Sequence, residues 1–193
     1  MKKFNSVLIV GMGLIGSSIS RALIENDVAN NVYGLDCNDN VIKKCQNLNL
    51  LTQGETDLKK FDIKFDLIVI CTPLSSYKNI FTSLTEFVSK PTLVTDVGST
   101  KMSTIKDFTN VVNNKYMTFI PSHPIAGLEK TGPEHGFSKL FNGRYCILTP
   151  YEKNEDALKS ISEMWQSIGM LTEIMEPDRH DRVLAMTSHI PQL

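Results

Sequence analysis

With 193 residues, 41% of them hydrophobic and 21% charged, the chain has enough apolar material for one sizeable core and too much for a disordered segment. A formal net charge of −1 removes the electrostatic case for a nucleic-acid or anionic-membrane partner, which leaves a small-molecule ligand as the expectation. Cys37, Cys45, Cys71 and Cys146 show no CxxC spacing and read as reduced thiols of a cytoplasmic protein, with no bridges and no metal site.

Taken in chain order, the first apolar run, Val7 to Val10, follows Lys2 and Lys3 and loosely imitates a signal peptide. Glycines at 11, 13 and 16 break it, and it is too short to span a bilayer, so a buried first strand over Ser6–Val10 is predicted. A helix over Leu14–Asn26 follows, then a strand over Asn31–Leu35 and a helix over Asp39–Leu48. The alternation continues with a strand over Leu67–Thr72, a helix over Tyr77–Val88, a strand over Thr92–Asp96 and a helix over Ser103–Asn113. Strands over Thr118–Pro121, Tyr145–Thr149 and Leu171–Ile174 and helices over Asn154–Ile168 and Pro177–Ile190 complete the pattern. Short apolar strands alternating with amphipathic helices predict an α/β fold, a doubly wound Rossmann-type parallel sheet holding all seven strands. The last helix, opened by Pro177 and Asp178, carries an apolar stripe at Val183, Leu184, Met186 and Ile190 that needs a surface to cover it. It either folds back on the sheet or begins a second domain.

Gly11-Met12-Gly13-Leu14-Ile15-Gly16 is a GxGxxG placed between a predicted strand and a predicted helix, the context in which such a turn binds a dinucleotide. The first glycine permits the tight turn, the second admits the pyrophosphate and the third lets helix and strand approach. Asp36, at the end of the second strand, is placed to accept hydrogen bonds from the adenosine ribose, which favours NAD over its 2′-phosphorylated form; a turn-forming role before Asn38 is the plainer alternative. Cys71-Thr72-Pro73-Leu74 and Asp96-Val97-Gly98-Ser99-Thr100-Lys101 lie at strand carboxyl ends, where open parallel sheets place ligands. Thr72 and Pro73 are therefore expected beside the cofactor, and Ser99 and Lys101 in the cleft, unless Ser99 only caps a helix and Lys101 is only a solvated lysine.

Ser122-His123-Pro124-Ile125-Ala126-Gly127-Leu128-Glu129-Lys130-Thr131-Gly132 reads as a shaped loop. Dehydrogenation of an alcohol needs a base for the hydroxyl proton, and His123 is the candidate. His135 and His180 fall on predicted polar turns and read as solvated, while Met164, Trp165, Ile168 and Met170 read as core.

The runs GMGLIGSS, DVGSTK, HPIAGLEKTG and HDRVLAMTSHIPQL together resemble the prephenate/arogenate dehydrogenase family, in order and spacing, over essentially the whole chain. The resemblance implies NAD-dependent oxidative decarboxylation of prephenate to 4-hydroxyphenylpyruvate, CO2 and NADH in tyrosine biosynthesis, or the arogenate counterpart. It makes His123 the catalytic base and Ser99 a bridge between substrate hydroxyl, histidine and nicotinamide. Glu129 and Lys130 fall at the mouth of the substrate site, and His189 and Gln192 at the family's SHLPH histidines. Two positions depart from the pattern: Gln192 replaces a histidine and cannot become cationic, and Leu128 stands where a small hydroxyl residue is usual. Both bear on the pyruvyl or alanyl side chain of the substrate.

The same resemblance implies residues 1–176 as the dinucleotide-binding domain and 177–193 as the start of an all-helical domain that forms a homodimer and supplies a carboxylate-binding arginine. Without that domain the stand-in cations are Arg144, Lys101, Lys130 and Arg182, and slow turnover is expected. A β-hydroxyacid dehydrogenase, which would use a lysine as acid/base, and a noncatalytic NAD-binding module are the rival expectations. HPIAG counts against the first and the pairing of His123 with Ser99 against the second.

Overall fold

The computed structural model describes residues 3–189, with side chains through Met186. Six parallel strands form the main sheet in the order β3-β2-β1-β4-β5-β6: β1 (Phe4–Val10), β2 (Ala29–Leu35), β3 (Gln53–Glu55), β4 (Leu67–Ile70), β5 (Thr92–Asp96) and β6 (Met117–Phe119). The central strands β1 and β4 are buried on both faces, so their sequences are continuous apolar runs and their alternation is visible only in what each residue touches. Val7, Ile9, Leu67 and Val69 join one core with Ile19, Ala22 and Leu23 of α1 (Leu14–Glu25), Ile42 of α2 (Asp39–Asn47) and Ile161, Met164 and Trp165 of α5 (Glu155–Ser167). Leu8, Val10, Ile68 and Ile70 join the opposite core with Tyr77, Phe81 and Leu84 of α3 (Tyr77–Phe87) and Phe108 of α4 (Met102–Val111). This second core is an aromatic cluster, with Phe81 edge-on to Phe108 at 5.2 Å and Phe108 stacked on Phe119 at 4.8 Å.

The single seven-stranded sheet expected from the sequence is not what forms. After β6 the chain leaves the main sheet, and β7 (Ser122–Pro124), β8 (Tyr145–Leu148) and β9 (Leu171–Ile174) make a separate three-stranded sheet, β7 and β8 antiparallel, β8 and β9 parallel. The reason lies at the strand ends. Ile120 still donates to Val94 O at 2.9 Å, but the next proline has no N–H, and Ser122 N–H turns to the side chain of Asp96 at 3.0 Å. Main-sheet strand β3 and the short β7 are both absent from the sequence-based reading. The final helix α6 (Pro177–His189) folds back beside α4. No helix among the described residues is long and apolar enough to cross a membrane.

Candidate active site

The glycine turn has the tight turn and the close helix approach that the spacing predicts, and open space at its middle glycine. Gly11 sits at φ +92°, and a Cβ there would lie 2.9 Å from Cys71 O, so the position requires glycine twice over. A Cβ at Gly16 would meet Gly11 O at 2.0 Å, which is the close helix–turn approach. At Gly13 a Cβ would meet nothing within 4 Å: the backbone there faces open space. The first helical bond of α1 runs from Ser17 N–H to Gly13 O at 3.0 Å, leaving the N–H groups of Leu14, Ile15 and Gly16 ahead of it, as at any helix start. With the helix dipole behind them these form an anion-binding end.

Asp36 Oδ2 accepts from Met12 N–H and its Oδ1 from Asn38 N–H, both at 2.9 Å. These bonds are the turn-forming role, and they do not use up the carboxylate for a ribose, since each oxygen keeps a second acceptor site. Gly11, Gly13, Asp36, Thr72 and Pro73 line one cleft of about 1110 Å³. That volume, the two lining glycines and the carboxylate fit the adenosine and pyrophosphate portions of a dinucleotide, although Leu14, Ile15 and Gly16 are not among the lining residues. Thr72 Oγ1 accepts from Ser76 Oγ at 2.8 Å, which holds the loop after β4 at the cleft wall.

The cleft lining stops short of Ser99 and His123. Ser99 is exposed just beyond β5, and among the described residues its hydroxyl is not bonded to His123. Lys101, expected in the cleft, is instead fully buried beneath it, with Nζ 2.7 Å from Asp96 Oδ2 and donating to Ser122 O at 2.7 Å. A lysine can be enclosed there because Asp96, itself fully buried, supplies the countercharge. Burial lowers the Lys101 pKa and Asp96 opposes the shift. Asp96 also accepts from Gly98 N–H at 2.9 Å and from Ser122 N–H, so its oxygens are well satisfied.

His123, in β7, is half-buried, and its Nδ1 lies 2.9 Å from Nε2 of His180. His180, expected to be solvated, is fully buried, because α6 lies across the start of α4. Its Nδ1 is 2.8 Å from Asp181 Oδ1. Asp181 in turn accepts from Lys101 N–H at 2.8 Å and Met102 N–H at 2.9 Å, and so caps α4 from outside. Burial alone would raise the Asp181 pKa, but these two N–H groups and His180 outweigh it and hold the carboxyl below its ordinary range. Burial, then Lys101 and His180 nearby, push His123 down to about 4, against an upward pull from Asp181.

Glu129 and Lys130 are exposed on the loop after β7, and His135 is exposed as expected. Of the stand-in cations, Arg144 is exposed, and Arg182 is exposed and paired with Asp178 at 2.7 Å. The side chain of His189, and Gln192 altogether, lie outside the described residues. Sequence reasoning missed His180 and Asp181 as site residues; the signal was an adjacent His-Asp pair in the first turns of a helix whose apolar stripe had no assigned surface.

Residues 19–173 match the family model described as "Prephenate dehydrogenase, nucleotide-binding domain". The chain is 34% identical over 196 residues to the cyclohexadienyl dehydrogenase of Zymomonas mobilis, covering 100% of this chain and 66% of that protein. It is 27% identical to the prephenate dehydrogenase of Bacillus subtilis, covering 98% of this chain and 51% of that one. The prephenate dehydrogenase of Aquifex aeolicus, solved in complex with hydroxyphenyl propionate and NAD+, superposes with a TM-score of 0.91 at 32% identity, over 98% of this chain and 66% of that one. The chain therefore spans between about half and just under two thirds of the length of these relatives. The glycine turn, the carboxyl-edge histidine and these matches lead to one conclusion: the chain belongs to the prephenate dehydrogenase family, as its nucleotide-binding domain.

Proposed function

We propose that this chain is the cofactor-binding and proton-accepting part of an NAD-dependent dehydrogenase that oxidatively decarboxylates prephenate, or arogenate, on the route to tyrosine. The observation that carries the reading is the half-buried imidazole of His123, held neutral at the carboxyl edge of the fold whose first turn is shaped for a dinucleotide. The A. aeolicus relative, solved with NAD+ and a hydroxyphenyl compound, supports both ligand classes.

In this reading the N–H groups at the start of α1 hold the pyrophosphate, Gly13 gives it room, and Asp36 takes the adenosine ribose hydroxyls. NAD, when bound, supplies the hydride acceptor. His123 takes the proton of the ring hydroxyl as hydride leaves the carbinol carbon; the ring carboxylate departs as CO2 and its bonding pair completes the aromatic ring. Loss of CO2 makes the step effectively irreversible, so the residues mainly orient, exclude competing reactions and accept one proton. Ser99, at the rim, is the residue assigned to the substrate hydroxyl, and Glu129, Lys130, His189 and Gln192 are those assigned to the substrate side chain. Residues 1–176 form the dinucleotide-binding unit, and the helix from Pro177 leads into a helical domain that joins two copies in the cytoplasm.

The test is NADH absorbance with prephenate and arogenate offered in turn, with NAD and then NADP, on protein that includes whatever follows Leu193. Oxidation of one substrate with NAD is expected. His123→Asn should lower turnover by about 10²–10⁴ while NAD affinity is unchanged. Unchanged turnover would remove His123 from the mechanism.

A further inference from the structure

An imidazole is a useful base only if the nitrogen facing the substrate lacks a proton, and a neutral histidine has two tautomers of which one fails this condition. We propose that His180 and Asp181 are positioning residues that fix His123 in the tautomer protonated on Nδ1, so that Nε2 is presented as the proton acceptor. The proposal rests on the dehydrogenase reading for its consequence, though not for its geometry.

With His180 taken in its neutral form, the hydrogen-bond chain admits one assignment. Asp181 is ionised, holding two backbone N–H groups, and can only accept. His180 Nδ1, 2.8 Å from it, must therefore be the donor, and in a neutral ring that leaves Nε2 bare. A bare Nε2 lying 2.9 Å from His123 Nδ1 has to receive a hydrogen there, so the proton of His123 sits on Nδ1. Its Nε2 keeps a lone pair, and among the described residues nothing bonds to that atom. The rings meet at 70° with centroids 5.1 Å apart, an edge contact that hydrogen bonding dictates and stacking would not.

Each member is held by a different element, which fixes the geometry. His123 belongs to β7, paired with β8 at Ile147. Asp181 is pinned by the backbone at the start of α4, and His180 has no exposed surface through which to rotate away. The groups facing His123 are Lys101 from below, with Asp96 beyond it, and His180 and Asp181 from α6. When Nε2 takes the substrate proton, the new positive charge is shared along the Nδ1–H bond toward His180 and balanced by the Asp181 carboxylate. No proton need reach Asp181, as in the logic of a Ser-His-Asp triad.

The chain labelled with ¹⁵N in its histidines supplies the direct test, since long-range nitrogen–proton couplings report which ring nitrogen carries the hydrogen. His123 is expected as the Nδ1–H form at pH 7, and the Nε2–H form would overturn the proposal. A second arm uses turnover in the protein that includes whatever follows Leu193. His180→Gln keeps an acceptor for His123 and a donor for Asp181, and should retain activity within about tenfold; His180→Leu fills the space without either and should lose about 10²–10⁴ in kcat with the KM for NAD unmoved. Equal activity of the two variants would sink the idea, because a role in packing alone favours leucine. Asp181→Asn should return a mixed or reversed His123 tautomer in the same spectra. If wild-type protein oxidises neither prephenate nor arogenate, the dehydrogenase reading fails, and the spectra still decide the tautomer.

Discussion

At the scale of single residues, His123 serves two masters: it must be basic enough to take a proton and yet sits beside a buried lysine. Burial first, then Lys101 and His180, lower its pKa to about 4, below the roughly 6.5 of an unfolded histidine. The sign for stability follows. Between those values the unfolded chain binds a proton that the folded chain does not, so this contribution is intact above about pH 6.5 and declines as pH falls toward 4. The full loss is on the order of 3 kcal/mol. His123→Asn should therefore flatten the fall in urea-derived stability between pH 7 and 4.5 relative to wild type, whereas parallel curves would mean that the imidazole is as easily protonated folded as unfolded. In kinetics the same shift should keep kcat/KM flat through the neutral range, with its acid limb below about pH 5. His123 was legible in the sequence because a histidine beside a proline and two glycines at a strand end has few structural uses. His180 was not, because its role depends on a contact to a residue 57 positions away that only the return of α6 creates.

Among the elements, the turn from β1 into α1 separates two kinds of glycine by consequence. Gly13 has φ −71°, and its missing Cβ would point into open space, so alanine costs the fold little beyond a poorer helix cap, up to about 1 kcal/mol. If that space is where the pyrophosphate lies, Gly13→Ala should weaken NAD at least tenfold by calorimetry while urea stability falls only slightly. Gly16→Ala is the opposite case: its Cβ would stand 2.0 Å from Gly11 O, so helix and turn must part, at about 3 kcal/mol or more of stability. Undiminished NAD affinity in Gly13→Ala would place the phosphates elsewhere. The helices were readable to within about two residues because amphipathic spacing persists over three turns. The two missed strands, β3 and β7, have three residues each, too few for any period. β3 reads Gln-Gly-Glu and exists because Gly54 lies in register with Gly34 across the ladder, leaving room for Leu51 and Ile42.

For the molecule as a whole, the two sheets share no ladder among the described residues, and a polar knot helps to join them. Asp96 ends β5, takes the Ser122 N–H that starts β7, and pairs with Lys101, which donates to Ser122 O. Ser122 Oγ donates to Asp96 O at 2.5 Å and accepts from Trp165 Nε1 at 3.2 Å, which ties in α5; Asp181 on the Lys101 backbone ties in α6. Sequence alone put Lys101 in the cleft, with a solvated lysine as the plainer alternative, since lysine is almost never fully enclosed without a partner, and the partner became visible only with the fold. Removing one member of such a pair strands the other charge, so Lys101→Met should cost about 3–5 kcal/mol in urea unfolding. The same change on exposed Lys106 should stay within about 0.5 kcal/mol. Lys101 also depresses His123, so in Lys101→Met the acid limb of kcat/KM should move to higher pH, linking the joint that holds the sheets to the base that does the chemistry. A Lys101→Met protein as stable as Lys106→Met, with its acid limb unmoved, would show that neither Asp96 nor His123 feels a charge at that position.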